Sequence, residues 1–322
     1  MPAAHAQTPL TSTEDLVQAQ TLVQRMLEAQ KTLVLSGDEV TTLYRPEQTF
    51  SASQTIFRKG DQDLRLEYRS PDAIAGEVYV DNGKIAWHYI PSQHRLEVGL
   101  SGLGHMRSES NGILKRLNNH QITAEIIGHD VIAGQSAQIV QGSAEQSWGQ
   151  RRYWIDPVTG AQLKIQTFGA FGQMVSQTYF TRISYDTKLS TSVFAPPKVD
   201  PDVATVPMFP PGSQAIAGTP TNVECGFTPM QPAYLPQGFT YQSAMLMPAN
   251  HQKILELTYE NALVVLSIFE QPSPVRVGKP PAPDEFKSPR QGVMTARFNG
   301  YKYVVIGTLP EDVMRQIIQS MH

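Results

Sequence analysis

The amino-acid sequence predicts an α+β protein in which an open antiparallel β-barrel, covered by helices, precedes a small α+β domain. Apolar residues recur at three- and four-residue spacing up to about residue 33 and then, from Ser36 onward, alternate as they do in strands. Residues 196–236 are dense in Pro and Gly and separate the two regions. The length of 322 residues agrees with two domains, because one domain typically has about 100–200 residues.

A long helix is predicted at the start of the first region. Thr13 and Glu14 suit its first turn, because a hydroxyl can accept the free backbone N–H groups and a carboxylate is favoured at the positive end of a helix. One apolar stripe follows, which consists of Leu16, Ala19, Leu22, Val23, Met26, Ala29 and Leu33. We expect this stripe to pack against the concave face of the barrel, since no other large surface is available to bury it.

About ten or eleven antiparallel strands are predicted between Ser36 and Tyr185. They cover residues 40–45, 53–58, 64–69, 77–80, 85–90, 122–127, 132–141, 150–155, 163–168 and 174–185. Turn residues separate the strands, and Asn82-Gly83 is typical of a tight hairpin. Residues 99–112 are rich in Gly and Ser and are predicted as a loop, followed by a short helix at residues 113–117.

The Pro-rich stretch divides the chain into domains. We predict a first domain at residues 7–200, a linker at residues 201–226 and a C-terminal domain at residues 227–322. The C-terminal domain should contain an antiparallel sheet, with a three-stranded meander and a hairpin around Asn299-Gly300, and a terminal helix that buries Val313, Ile317 and Met321. An extended linker offers few buried contacts, so we expect proteolysis to separate the two domains.

The composition limits the classes of function. Charged residues make up 17% of the chain and the net charge is −3, which argues against a nucleic-acid-binding protein because such proteins cluster Lys and Arg against phosphates. No apolar stretch reaches the length of about 18–20 residues that spans a bilayer, so we expect a soluble protein. Cys225 is the single cysteine, which excludes an internal disulfide and favours a buried structural role.

The first residues suggest export. Ala4-His5-Ala6 has the small-x-small form of a signal-peptidase site, and we interpret residues 1–6 as the remnant of a signal peptide. A start codon that was assigned too late, a signal that was trimmed, and a chance match in an Ala-rich terminus are the alternatives. An exported protein of this kind would be periplasmic and soluble.

No constellation typical of catalysis is readable in the sequence. The eight histidines have no metal-ligand spacing, and Ser136 lacks the second Gly of a nucleophile elbow. We therefore predict a protein that is not an enzyme and that has no cofactor and no metal site. A hydrolase with a divergent site is the alternative.

Apolar and aromatic residues on neighbouring predicted strands are the candidate ligand-binding site. Leu66 and Tyr68 share one face of a strand, Trp87 and Tyr89 share one face of another, and Val80 lies between them in the sequence. We predict an apolar cavity lined by these five residues, which would hold an acyl chain at a gain of roughly 0.8 kcal/mol per buried methylene. Ordinary core packing under the first helix is the alternative interpretation.

Two hairpins of the first region resemble those of bacterial lipoprotein carriers of the LolA/LolB superfamily. One reads VYVDNGKIAWHYIP at residues 78–91, and the other reads YWIDPVTGAQL at residues 153–163 and contains the pattern W-x-D-P-x-T-G. The resemblance implies a LolA-like fold for residues 10–200 and a possible part in binding lipoprotein or lipid as a carrier or sensor.

Segments of the second region are similar to the C-terminal domain of the MucB/RseB family. They are YLPQGF at residues 234–239, the predicted strand at residues 262–269 and YVVIGTLPEDV at residues 303–313. The resemblance implies a periplasmic regulator of the envelope-stress sigma factor, which binds the periplasmic segment of a membrane anti-sigma factor, shields it from proteolysis and is released by lipid-type ligands. A lipoprotein or lipid carrier with no link to a sigma factor is the alternative function.

Overall fold

The computed structural model describes residues 13–45, 48–144, 149–169, 171–185, 188–249, 252–261, 263–273, 286–290 and 292–322. The predicted signal-peptide remnant, residues 1–6, lies outside these ranges, as does Ala262 at the start of one predicted strand. Within the described ranges, no helix is long and apolar enough to cross a membrane.

The first sheet is large and open. Its strands are β1 (Val34–Tyr44), β2 (Thr49–Lys59), β3 (Asp63–Ser70), β4 (Val78–Asp81), β5 (Ile85–Ile90), β6 (Arg95–Leu100), β7 (Ile122–Ile132), β8 (Gln135–Ala144), β9 (Gln150–Ile155), β10 (Gln162–Phe168), β11 (Met174–Ser184) and β12 (Ala204–Pro207). They lie in the order β12-β6-β5-β4-β3-β2-β1-β11-β10-β9-β8-β7. Neighbours from β6 to β7 pair antiparallel, as in β1 with β2 and β11, whereas β12 pairs parallel with β6. The predicted open antiparallel sheet is confirmed.

Two helices cover one side of this sheet. Helix α1 (Thr13–Thr32) and helix α2 (Leu103–Asn118) bury their apolar residues in a shared cluster with β7, β8 and β9. Leu22 of α1 and Leu117 of α2 belong to this cluster, together with Val140 and Tyr153 of the sheet. The predicted packing of the first helix on the sheet is confirmed from Ala19 onward. Leu16 is 39% exposed, so the buried stripe is one turn shorter than predicted.

The loop predicted at residues 99–112 is wrong from Leu103 onward, because α2 already begins there. Gly104 and Gly112 disfavour a helix by about 1 kcal/mol each relative to Ala, so local propensity predicts a loop. Burial overrides this propensity, since Leu103, Ile113 and Leu117 are all buried. The sequence analysis also missed β6, which extends the hairpin of β4 and β5 by one strand.

The Pro-rich segment between the sheets is partly regular. It contributes β12 to the edge of the first sheet and β13 (Gln214–Ile216) to the edge of a second sheet, and it includes the short helix α3 (Asn222–Cys225). The segment expected to be an extended linker therefore contains short regular elements. Edge positions explain the result, because an edge strand needs hydrogen bonds on one side only and so tolerates Pro, as at Pro207.

Within the described part of the chain, the second sheet has seven strands. The remaining six are β14 (Thr240–Ala249), β15 (Gln252–Glu260), β16 (Val265–Pro272), β17 (Lys287–Arg290), β18 (Val293–Phe298) and β19 (Tyr301–Gly307), in the order β13-β14-β15-β16-β19-β18-β17. The predicted meander and the hairpin are confirmed, and both Asn299 and Gly300 have positive φ, as a tight hairpin turn requires.

A terminal helix packs on one face of the second sheet. Helix α4 (Glu311–Gln319) buries Val313 and Ile317, and Met321 follows it into the same cluster, so the predicted helix and its apolar stripe are confirmed. The helix begins after Pro310, whose fixed backbone suits the start of a helix. The small α+β fold expected for this region is thereby confirmed.

Candidate functional site

A cleft of about 530 Å³ lies between the two helices and the first sheet. We call it the helix cleft. It is lined by Met26, Leu27, Gln30 and Lys31 of α1, by Leu103, Arg107, Ser110, Asn111 and Ile113 of α2, by Arg58, Arg151, Tyr153, Gln162, Ile165, Thr167 and Ser176 of the sheet, and by Asp61 of the turn after β2. Its volume falls within the range of about 300–1,000 Å³ that is usual for small-molecule sites.

The helix cleft extends along the strands from one end of the sheet to the other. Asp61 follows β2, whereas Thr167 and Ser176 flank the turn between β10 and β11. Because β1 is antiparallel to both β2 and β11, and β11 is antiparallel to β10, these two turns lie at opposite ends of the sheet. An elongated ligand would therefore lie along the strands beneath the helices.

Part of the cleft wall is the apolar core of the first region. Met26, Leu27, Ile113 and Tyr153 are buried members of the cluster that joins the helices to the sheet, and Ile165 packs against it. These side chains are held by their neighbours in that cluster, so the wall exists without a ligand. It offers an apolar chain a surface on which water release favours binding.

Basic side chains surround the rest of the cleft. Lys31 forms an ion pair with Glu28 at 2.7 Å, and the hydrogen bonds seen for Arg58 and Arg107 go to backbone carbonyls. Arg107 Nη1 donates to the Asp61 carbonyl at 2.8 Å, and Arg58 Nε donates to the Gly60 carbonyl at 2.8 Å. A carbonyl satisfies the donor without neutralising the charge, but Arg58 also interacts electrostatically with Glu39 and Asp61. With Arg151 as a fourth basic residue and Asp61 as the single acidic residue of the lining, the helix cleft favours an anionic group.

A smaller cavity of about 60 Å³ adjoins the helix cleft and shares Gln30, Arg58 and Gln162 with it. Glu39 lines this cavity, and its carboxylate accepts a hydrogen bond from Gln54 Nε2 at 3.4 Å. Burial raises the pKa of Glu39 to about 7, against the opposing effects of Gln54 and Arg58. Burial likewise lowers the pKa of Arg58. The charge of the smaller cavity therefore changes near neutral pH.

The five predicted ligand residues divide between the two faces of the sheet. Leu66 and Tyr68 lie on the face that the helices cover, where Leu66 packs against the cluster of Leu35, Ile56 and Phe180. Val80, Trp87 and Tyr89 lie on the other face. Val80 is fully buried there.

The strand register causes this division. Leu66 pairs with Tyr79, whereas Val80 pairs with Arg65, and residues that pair directly across antiparallel strands point to the same face. Trp87 pairs with Val80 and therefore shares its face. The single cavity expected from all five residues does not match this register, because alternation fixes faces within one strand but not between strands. None of the five lines the helix cleft, and their contact with a ligand stays a prediction.

Sequence reasoning missed the residues that line the cleft. Arg58, Arg107 and Arg151 lie far apart in the sequence and occur on a strand, a helix and another strand, so no local spacing marks them as one site. Arg107 also lies in the segment that was predicted as a loop. The signal that could have helped is the long apolar stripe of α1, which indicated where a helix covers the sheet.

The fold and the cleft define a protein of the binding type, in which a helix-covered open sheet leaves room for a ligand and a second sheet domain follows. A family model described as the MucB/RseB N-terminal domain matches residues 18–198. This match covers more than half of the 322 residues. The chain belongs to the MucB/RseB family.

Solved structures are similar to this chain over nearly its full length. The structure of MucB in complex with MucA(peri) is 18% identical to this chain, covers 94% of it and 98% of that chain, and has a TM-score of 0.62. The MucA/MucB complex structure from Pseudomonas aeruginosa is 16% identical, with coverages of 95% and 98% and a TM-score of 0.62. A structure of MucB alone is 17% identical and has a TM-score of 0.55. No curated protein sequence matches this chain.

Proposed function

We propose that this chain is a periplasmic regulator in envelope-stress signalling that binds the periplasmic segment of a membrane anti-sigma factor. Membership of the MucB/RseB family supports this proposal. The fold is similar to that of MucB in complex with MucA(peri) over 94% of this chain, so the similarity includes both sheets of this chain. The role is one of binding, and it requires no catalytic group.

We further propose that the helix cleft is a ligand site for an acyl chain that carries an anionic group. The observation that carries this proposal is the combination of an apolar wall with an excess of basic side chains in one cleft of about 530 Å³. Burial of the chain against Met26, Leu27 and Ile165 would contribute roughly 0.8 kcal/mol per methylene. The guanidinium groups of Arg58 and Arg107 would attract the anionic end.

A carrier of lipid or lipoprotein with no link to a sigma factor is the second candidate function. The helix cleft favours it as much as it favours the regulator, because both bind an acyl chain. The second sheet favours the regulator, since a carrier needs the cleft alone. Capture of envelope proteins on the purified chain, followed by mass spectrometry of proteins and extracted lipids, separates the two. A membrane anti-sigma factor among the captured proteins supports the regulator, and lipid without such a protein supports the carrier.

Calorimetry with dodecanoate tests the cleft itself. We expect binding with a negative heat-capacity change, the mark of apolar burial. Ser110 lines the cleft, so Ser110→Trp should fill it and abolish binding, whereas Ser110→Ala is the matched control and should bind as the wild type does. Equal binding by both variants would place the ligand elsewhere, and no binding by the wild type would remove the lipid part of the proposal.

A further inference from the structure

Helix α2 contacts both the helix cleft and the C-terminal region. Leu103, Arg107, Ser110 and Asn111 line the helix cleft. The last turn of the same helix carries Arg116, whose side chain reaches the C-terminal region instead. One rigid element thus contacts both the ligand site and the second sheet.

Arg116 is buried, at 9% exposure, and all the hydrogen bonds seen for its side chain within the described part of the chain go to the C-terminal region. Its guanidinium donates to the carbonyl of Gly238, to Thr240 Oγ1 at 2.8 Å and to the carbonyl of Glu260 at 3.0 Å. These acceptors lie at the start of β14 and at the end of β15. The guanidinium of Arg116 therefore takes the place of water on three acceptors of the C-terminal region.

The contact continues along one face of α2. Gly112 lies one turn before Arg116, and a Cβ atom added there would stand 3.5 Å from Glu260 Oε1. The helix backbone therefore runs close to the buried end of β15. A Cβ atom added at Gly149, in the segment before β9, would lie only 2.5 Å from Val264 Cγ2, so the loop after β15 is also held against the first region.

Hydrogen bonds within the loop after β15 stabilise it. Asn261 Oδ1 accepts hydrogen bonds from the backbone N–H groups of Leu263, at 3.0 Å, and Val264, at 2.7 Å. Leu263 and Val264 are buried. A shift of α2 would therefore act on Asn261, Leu263 and Val264, which these hydrogen bonds hold together.

We propose that Arg116 is a positioning residue that transmits occupancy of the helix cleft to the C-terminal domain through α2. This inference rests on the proposed ligand site. A ligand beneath α2 displaces the helix, and a displacement weakens the hydrogen bonds of Arg116, since such bonds lose strength steeply with distance and angle. The contact at residues 238–240 and 260–264 then loosens. Substitution of Arg116 breaks the transmission but leaves the cleft intact, because Arg116 does not line it.

Hydrogen exchange measured by mass spectrometry tests this route, with dodecanoate as the probe. In the wild type, saturating dodecanoate should accelerate exchange at the amides of Phe239, Leu263 and Val264. Arg116→Gln should bind dodecanoate more tightly than the wild type, because the ligand no longer has to weaken these hydrogen bonds, while exchange at these amides no longer responds to it. The matched control is Lys115→Gln, which removes a charge from the exposed neighbouring position of α2 and should respond as the wild type does.

A second hydrogen-exchange experiment tests the same route without a ligand. Ser110→Trp should accelerate exchange at residues 238–240 and 260–264 relative to Ser110→Ala, and the added substitution Arg116→Gln should abolish that difference. An Arg116→Gln protein that still transmits the response would overturn the proposal, as would a wild type that binds dodecanoate without any response in the C-terminal domain. If dodecanoate fails to bind, the proposed ligand is wrong, and the tryptophan variants alone decide whether α2 transmits.

Discussion

Among the described residues, the first sheet has twelve strands and two covering helices, and its buried apolar side chains form three clusters, two of which share partly buried neighbours such as Leu33 and Ile183. In the second sheet, six of the seven described strands and α4 share one continuous cluster instead. Leu255, Leu257, Ile268 and Val305 are all fully buried there. The second sheet is packed as a closed core, as protein interiors normally are.

The two cavities of the first region lie beside these clusters. The helix cleft opens beside the cluster of α1, α2 and β7 to β9, and the smaller cavity with Glu39 opens beside the cluster of Leu35, Ile56 and Phe180. A curved sheet of this size leaves space that two helices do not fill. The proposed ligand site thus lies in the region whose packing is interrupted, and the second sheet has one continuous core.

The largest effect should come from charging the buried stripe of α1. Leu22 is 6% exposed, and Leu22→Asp would place a carboxylate in the cluster that holds α1 on the sheet. We expect a loss of about 4 kcal/mol or more in the free energy of unfolding of the first domain, measured by urea denaturation. Leu16→Asp is the control, because Leu16 is 39% exposed and should lose less than about 1 kcal/mol. Equal losses would show that α1 does not pack as described.

A matched pair of truncations compares the two regions directly. Ile268 is fully buried in the core of the second sheet, so Ile268→Ala should cost about 2–5 kcal/mol. Ile165 is only partly buried and already faces the helix cleft, so Ile165→Ala should cost about 1 kcal/mol or less, because its removal adds to an existing space. Thermal unfolding of both variants is the measurement. A cost at Ile165 as large as that at Ile268 would mean that the cleft is closed in solution.

A smaller effect, on pH dependence, should come from Glu270 in the closed core. Its carboxylate accepts from the Met230 N–H at 3.1 Å, and burial raises its pKa from 4.5 to about 8. The folded state thus keeps a proton that the unfolded chain has lost above pH 4.5, so this stability is fully present below pH 4.5 and is lost as the pH rises through 8. Urea denaturation at pH 6 and pH 8 should show a fall of roughly 1 kcal/mol per pH unit in the wild type that Glu270→Gln removes.

The control for this prediction is Glu256→Gln. Glu256 lies on β15 and pairs with Phe269, the neighbour of Glu270 on β16, so its side chain points to the opposite face of the sheet. The variant should keep the pH dependence of the wild type. If Glu270→Gln keeps it too, the fall belongs to another group.

Local patterns predicted the second region better than the first. The hairpin at Asn299-Gly300 and the stripe of α4 depend on neighbours in the sequence, and both were predictable. Helix α2 was not, because its helical state depends on burial of Leu103 and Leu117 against distant elements that outweigh two glycines. Strand β12 was not predictable either, since the edge on which it pairs is built from residues more than one hundred positions earlier.

The candidate site was predictable within single strands but not across them. Alternation correctly assigned Leu66 with Tyr68 and Trp87 with Tyr89 to one face each within their strands. Val80 pairs with Arg65, and this strand register determines which faces of neighbouring strands lie on the same side of the sheet. No local sequence pattern predicts the register. Likewise, Arg58 and Arg107 meet at one cleft only through the tertiary fold.

A calorimetric titration of the full chain with the periplasmic segment of the anti-sigma factor encoded in the same genome would show whether the chain binds such a partner. We predict a one-to-one complex with a dissociation constant of about 1 μM or tighter. Saturating dodecanoate should weaken it by about tenfold or more, because a ligand in the cleft and the partner are coupled. The absence of any complex at high micromolar concentration would contradict the account and would favour the lipid carrier instead.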